Sequence, residues 1–157
     1  MMENLKTIEM LRVYRERSAL FALRNANTSR EDAAKTASIF KEYLQTQREA
    51  QLASEQRLYK ETLGKALSPP ELEAVQARVH RENAEIGALA RQASDLYTSA
   101  AHAASAAEQA LLRHAHLLKM QKKWERVQEH YAEKLAIEEM SREELAHDAL
   151  EIRKSGI

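Results

Sequence analysis

The chain has 157 residues, 24 basic and 24 acidic side chains and no cysteine. Disulfide and thiolate chemistry are excluded, and a neutral total argues against nucleic acid as the main partner, because phosphate binding needs a concentrated basic surplus. Only 5% of residues are aromatic, and glycine and proline number three and two, while Ala, Glu, Lys, Leu and Arg abound, a composition of long helices or a coiled coil.

The first arm carries a helical rhythm from its start. Leu5, Ile8, Ala19, Ala22, Ala26, Ala33, Ala37, Phe40 and Leu44 fall on one seam with a four-residue slip near Ala33. A further slip lets Leu52, Tyr59 and Leu63 rejoin it. The weakest stretch is NANTSRED, from Asn25 to Asp32. Ser29 with Asp32 is able to cap a new helix there, so a break near Asn25–Ser29 stays an open alternative.

The turn is the densest punctuation in the chain. LGKALSPPELEAV, from Leu63 to Val75, holds both prolines and one of the glycines. Gly64 suits a helix stop. Ser68 suits an N-cap, Pro69 a first helical position, and Glu71, three after Ser68, completes a capping box. The expected boundaries are arm one at about 2–66, a turn at about 64–70 and arm two at about 69–154, within a single coiled-coil domain.

From Leu72 onward, alternating steps of three and four residues stay apolar for most of the second arm. They run through Val75, Val79, Ile86, Leu89, Ala93, Leu96, Ala100, Ala103, Ala107, Ala110, Leu117, Trp124, Tyr131, Leu135, Leu145, Ala149 and Ile152. Glu82, His114, Gln121, Gln128, Glu138 and Arg142 interrupt the row. A repeat of 3.5 residues held this long implies a supercoil against a partner helix. The first arm is the available partner. The expected fold is all-α: a long two-helix antiparallel coiled-coil hairpin with an overhanging C-terminal helix.

A turn near Leu67 makes facing residue numbers sum to roughly 134. Leu63 then meets Leu72, Ala22 and Ala26 face Ala107 and Ala110, and Ile8 comes near Trp124. Everything beyond about Tyr131 overhangs, yet the seam continues there, which makes it a candidate docking face. Arg12, Arg15, Arg17 and Arg24 should lie beside Lys119, Lys122, Lys123 and Arg126, whereas the overhang AEKLAIEEMSREELAHDALE is acidic.

Several quoted segments in this order resemble a known family. They are LKTIEMLRVYRERSA, KEYLQTQREAQLASEQRLYKE, LSPPELEAVQARVHREN and KKWERVQEHYAEKLAIEEMSREELAHDA. Together they span nearly the whole chain and are similar to the YscO proteins of type III secretion systems, relatives of the flagellar export protein FliJ. The resemblance implies a cytoplasmic stalk, peripheral to the secretion apparatus at the inner membrane. Its implied partners are the hexameric export ATPase, the cytoplasmic domain of the export gate and, in some members, secretion chaperones. Carried over, the gate contact falls on Phe40, Tyr43, Gln47, Val75, Val79 and Ile86. The end that enters the ATPase carries Arg12, Arg15, Arg17, Lys119, Lys122, Lys123 and Arg126.

Plainer readings stand beside these. Phe40, Tyr43, Val75, Val79 and Ile86 are seam or seam-flanking residues first, with direct partner contact the other reading for Tyr43, and the basic cluster is also a solvated helix face. Tyr14 sits off the seam among arginines, as a surface tyrosine or an exposed anchor. The six histidines show no ligand spacing, and His114 reads as a polar register-setter on the seam. No glycine-rich phosphate loop and no nucleophile with a positioned base occurs, so neither an enzyme nor a cofactor is expected. No apolar run approaches the roughly 20 residues of a membrane span, and MMENLKTIEM lacks the apolar core of a signal peptide, so a cytoplasmic location is expected. The competing function is a coiled-coil secretion chaperone or a secreted coiled-coil component.

Overall fold

A computed structural model describes residues 2–156 and, for side chains, residues 3–156. It holds two helices, α1 (Met2–Thr62) and α2 (Pro69–Lys154), and no strand among the described residues. They pack against each other as an all-α hairpin. The chain divides into two units. One, the termini unit, joins the residues up to Leu20 with those from Leu112 onward. The other, the turn unit, is Phe21–Leu111. No described helix is long and apolar enough to cross a membrane.

α1 ends at Thr62, earlier than the sequence boundary of about 66. Gly64 follows with φ +76°, a left-handed conformation that side chains rarely adopt, so the chain leaves the helix there. The capping box forms as the spacing requires. The Glu71 amide donates to Ser68 Oγ at 3.4 Å, and the Ser68 amide donates to Glu71 Oε2 at 3.2 Å. Ser68→Ala is expected to cost about 1 kcal/mol through the lost cap while the hairpin still forms. Urea unfolding followed by circular dichroism checks this, and an unchanged midpoint would mean the cap does not hold the turn.

α1 runs without a break through Asn25–Asp32. Thr28 Oγ1 donates back to the Arg24 carbonyl at 3.0 Å and Thr36 Oγ1 to the Asp32 carbonyl at 2.9 Å, so the helix absorbs these hydroxyls instead of being interrupted by them. Ser29 therefore caps nothing.

The α2 seam is found where its spacing places it. Val75, Val79, Glu82, Ile86, Leu89, Ala93, Leu96, Ala100, Ala103, Ala110, His114, Leu117, Gln121, Trp124, Gln128 and Leu135 are half-buried, and Ala107 is fully buried. The polar members sit in the row with the apolar ones. Leu72 and Tyr131, at the ends of the paired stretch, are exposed.

The α1 seam differs from the apolar reading and keeps one heptad phase without a slip from Leu5 to Leu58. Its covered row is Leu5, Arg12, Glu16, Ala19, Leu23, Ala26, Ala33, Ala37, Phe40, Leu44, Gln47, Gln51, Ser54, Leu58 and Thr62. Ile8, Ala22, Leu52, Tyr59 and Leu63 are exposed. An apolar template needs slips here because polar residues hold the true seam between Leu44 and Leu58. Leu63 and Leu72 do not meet as a buried pair, and Leu23 takes the place expected for Ala22.

The pairing register is close to the one the turn dictates. In the termini unit His114 Nε2 lies 3.0 Å from Glu16 Oε1. In the turn unit Gln51 Nε2 donates to Asn83 Oδ1, and Ser54 Oγ to Glu82 Oε1 at 3.3 Å. Arg78 completes the latter cluster, donating from Nε to Glu82 Oε1 and from Nη2 to Ser54 Oγ, each at 3.2 Å. Half-buried polar groups of the seam thus find partners on the facing helix, with exposed Asn83 and Arg78 closing the set at its edge, which specifies register in a seam too poor in large side chains to do so by shape. Among the described residues the buried set is Ala19, Ala37, Leu44 and Ala107, which places alanine where a coiled coil usually carries leucine.

Candidate functional site

Two surfaces follow from the residues singled out in the sequence, one in each unit. In the termini unit the basic residues fall into three groups with different surroundings. Lys119, Lys122, Lys123 and Arg126 are spaced i, i+3, i+4 and i+7 on α2, so they form one stripe, and all four are exposed. The stripe lies opposite the covered row Leu117, Gln121 and Trp124, which faces α1. Glu125 sits beside it and accepts from Gln121 Nε2 at 3.5 Å.

Arg12 belongs to the packing instead. Its guanidinium lies over the Trp124 ring, 4.6 Å from the centroid. A cation above an aromatic face gains about 0.5–1 kcal/mol at a partly exposed site. The Trp124 Nε1 is buried and has no hydrogen-bond partner among the described residues. Arg12 therefore spends its charge on the hairpin.

Arg15 and Arg17 are exposed but separate. Arg17 lines a shallow groove on the outer side of α1 with Lys6, Glu9, Met10, Val13 and Tyr14. Tyr14 is strongly exposed there. Arg24 lies in the turn unit and is no part of this end. The seven candidate ATPase contacts thus resolve into an α2 stripe of four, two solvent-facing arginines and one packing arginine.

Beside the stripe, an apolar cleft of about 250 Å³ opens where α1 begins. Asn4, Leu5, Trp124, Val127, Gln128 and Tyr131 line it. Leu5 and Trp124 share this lining, and Ile8 is exposed. Past Leu135 the rest of α2 has no cover, and Ile137, Met140, Leu145, Leu150 and Ile152 all face solvent.

In the turn unit, Phe40, Gln47, Val75, Val79 and Ile86 are half-buried between the helices. Of the six candidate gate contacts, Tyr43 alone is exposed. Its ring packs at a tilt of 53° against Phe40, with centroids 5.8 Å apart. Ile39, one helical turn before Tyr43, is exposed as well. The apolar-seam reading passed over Ile39 because it lies off the row; its spacing of four from Tyr43 was the signal that marks the pair.

The histidines divide similarly. His114 sits half-buried on the seam, as its spacing suggested, with Glu16 as a partner that the sequence reading missed. His147 departs from the sequence expectation of no ligand-type neighbour, because Glu151 lies four residues on, one helical turn away. Its Nδ1 lies 3.7 Å from Glu151 Oε1, and with Asp148 the three present ligand-type atoms within 4.8 Å of one another. All three are exposed acid or imidazole groups on one turn of helix, an arrangement common on solvated helices.

Comparison with known protein families, curated proteins and solved structures finds no match.

Proposed function

We propose that this protein is a non-catalytic stalk of a type III secretion export apparatus, linking the hexameric export ATPase to the cytoplasmic domain of the export gate. The observation that carries the reading is the exposed stripe Lys119, Lys122, Lys123 and Arg126, set in the unit that holds the start of α1 and the end of α2. In a chain of zero net charge, four cations on one α2 face are a local excess suited to an acidic ring or pore. The resemblance of the quoted segments to YscO and FliJ-like proteins supports the same assignment, and the antiparallel helix pair is the architecture such a stalk requires.

The residue roles follow from exposure. Lys119, Lys122, Lys123 and Arg126 make the ATPase-docking stripe, with Arg15 and Arg17 as flanking charges. Tyr43, joined by Ile39, is the gate-facing contact, while Phe40, Val75, Val79 and Ile86 hold the arms together behind it.

The test is charge reversal that spares the packing. Arg15, Lys119, Lys122 and Lys123 changed together to Glu should leave the helix content intact and weaken binding to the cognate ATPase, most strongly at low salt, since steering is screened over about 8–10 Å at ordinary ionic strength. Lys60 and Lys65 changed to Glu, near the turn, should leave ATPase binding intact. Loss of ATPase binding in the turn variant with retention in the stripe variant would reverse the proposed polarity.

A further inference from the structure

We propose that the uncovered end of α2 is a self-association site, and that its occupant is the same segment of a second copy of this chain, paired antiparallel. The inference stands on the termini unit alone and does not depend on the stalk reading.

The seam of α2 continues past its cover. The covered row Trp124, Gln128 and Leu135 is the face of α2 that holds α1 in this unit. α1 begins at Met2, and by the pairing register its start lies opposite about Ala132. α2 continues to Lys154, and from Ala136 to Lys154 every residue is exposed. Leu135, Glu138, Arg142, Leu145, Ala149 and Ile152 keep alternating steps of three and four, and Leu145 is 69% exposed. That uncovered stretch is about 28 Å of helix with a face built for another helix.

Charges within the seam select the partner. Glu138 and Arg142 lie in the row itself. A parallel copy would set Glu138 against Glu138 and Arg142 against Arg142, two like-charge layers. An antiparallel copy mates each with an apolar residue instead. Leu135 meets Ile152, Glu138 meets Ala149, and Arg142 meets Leu145. In that register Lys154 of the second copy reaches a point opposite Glu133, where α1 begins, so each overhang fills the stretch the other leaves bare.

Charges on the flanks select the same pairing. One flank of the seam carries Lys134, Ser141 and Asp148, the other Glu139, Ala146 and Arg153. In an antiparallel pair each flank meets itself reversed. In this register Ser141 lies nearest Asp148 and Glu139 nearest Ala146, so no like charges face each other on either flank, and the nearest charged neighbours, Lys134 with Asp148 and Glu139 with Arg153, are of opposite sign and about 7.5 Å off level. The pattern is self-complementary, as a two-fold interface must be. Seven carboxylates against four cations between residues 132 and 154 oppose close approach, so the pair is weak and reversible.

Sedimentation equilibrium of the full chain tests this up to about 500 µM, a range that reports even millimolar-class dissociation constants. The wild type should shift from monomer to dimer with concentration. Leu145→Glu should stay monomeric with unchanged helix content. Lys134→Glu should weaken the dimer by about 3- to 10-fold, and adding Asp148→Lys to it should restore the affinity. Because the chain has no cysteine, Glu138→Cys and Ala149→Cys give clean cross-links. Mixed and oxidised, they should join 138 of one copy to 149 of the other. A wild type that is monomeric throughout, a dimer that survives Leu145→Glu, or a dominant 138-to-138 disulfide would each overturn the proposal.

Discussion

Leu44→Ala is expected to destabilise the hairpin by about 2–3 kcal/mol, the largest effect of any single truncation in the turn unit. Leu44 is the one large side chain among the described buried residues; its companions Ala19, Ala37 and Ala107 offer nothing more to remove than a methyl group. Truncating a buried leucine costs about 2–5 kcal/mol, transfer and cavity together. The lower part of that range applies because the seam is one layer thick and solvent reaches into the gap. Chemical denaturation of wild type and variant checks the value. A loss below about 0.5 kcal/mol, the level of an ordinary surface substitution, would show that the seam contributes little at this layer.

Ala107→Leu is expected to act in the opposite sense on volume and the same sense on stability. Ala107 is only 2% exposed, and Leu23, Asn27 and Arg30 of α1 lie around the groove that it helps to line. A leucine there has no room without spreading the helices, at about 1–3 kcal/mol. Ala22→Leu is the matched control. Ala22 looked equivalent by apolar spacing, yet it is exposed, so its enlargement should change stability by no more than about 0.5 kcal/mol. Thermal melts of the two variants separate the readings. A destabilised Ala22→Leu beside a neutral Ala107→Leu would put α1 in the slipped phase after all.

These two alanines also show what could be read from the chain before its structure. α2 was legible because its seam is spelled mostly in apolar residues, and its few polar members were recognisable as interruptions of a long repeat. The turn was legible because Gly64, Ser68, Pro69 and Glu71 each have a local conformational job. α1 was legible only in part: Leu5, Ala19, Ala26, Ala33, Ala37, Phe40 and Leu44 lie in its covered row as expected, but Glu16, Gln47, Gln51 and Ser54 share that row, and no apolar template selects a glutamine. Their reason for being there lies on the other helix: His114, Asn83 and Glu82 are partners of Glu16, Gln51 and Ser54, and a contact across the hairpin leaves no mark on local periodicity. The same error carried into the surfaces. With the phase of α1 misjudged, Arg12, Arg15 and Arg17 were grouped as one patch, although Arg12 covers Trp124 and Arg17 belongs to the groove with Tyr14. The α2 stripe survived because its spacing is internal to one helix.

The polar seam has a consequence for function. A helix pair with few large buried side chains exposes an unusual number of apolar residues, Ile39, Tyr43, Tyr97, Leu145 and Ile152 among them. Surfaces of that kind suit a component that works by contacting others.

The measurement that bears most directly on the stalk assignment is hydrolysis of ATP by the cognate hexameric ATPase, titrated with the folded chain. A central stalk acts once per ring, so stimulation should saturate near one chain per hexamer and should be lost when Arg15, Lys119, Lys122 and Lys123 are all changed to Glu. Saturation near one chain per ATPase subunit, or no binding and no stimulation at any ratio, would contradict it.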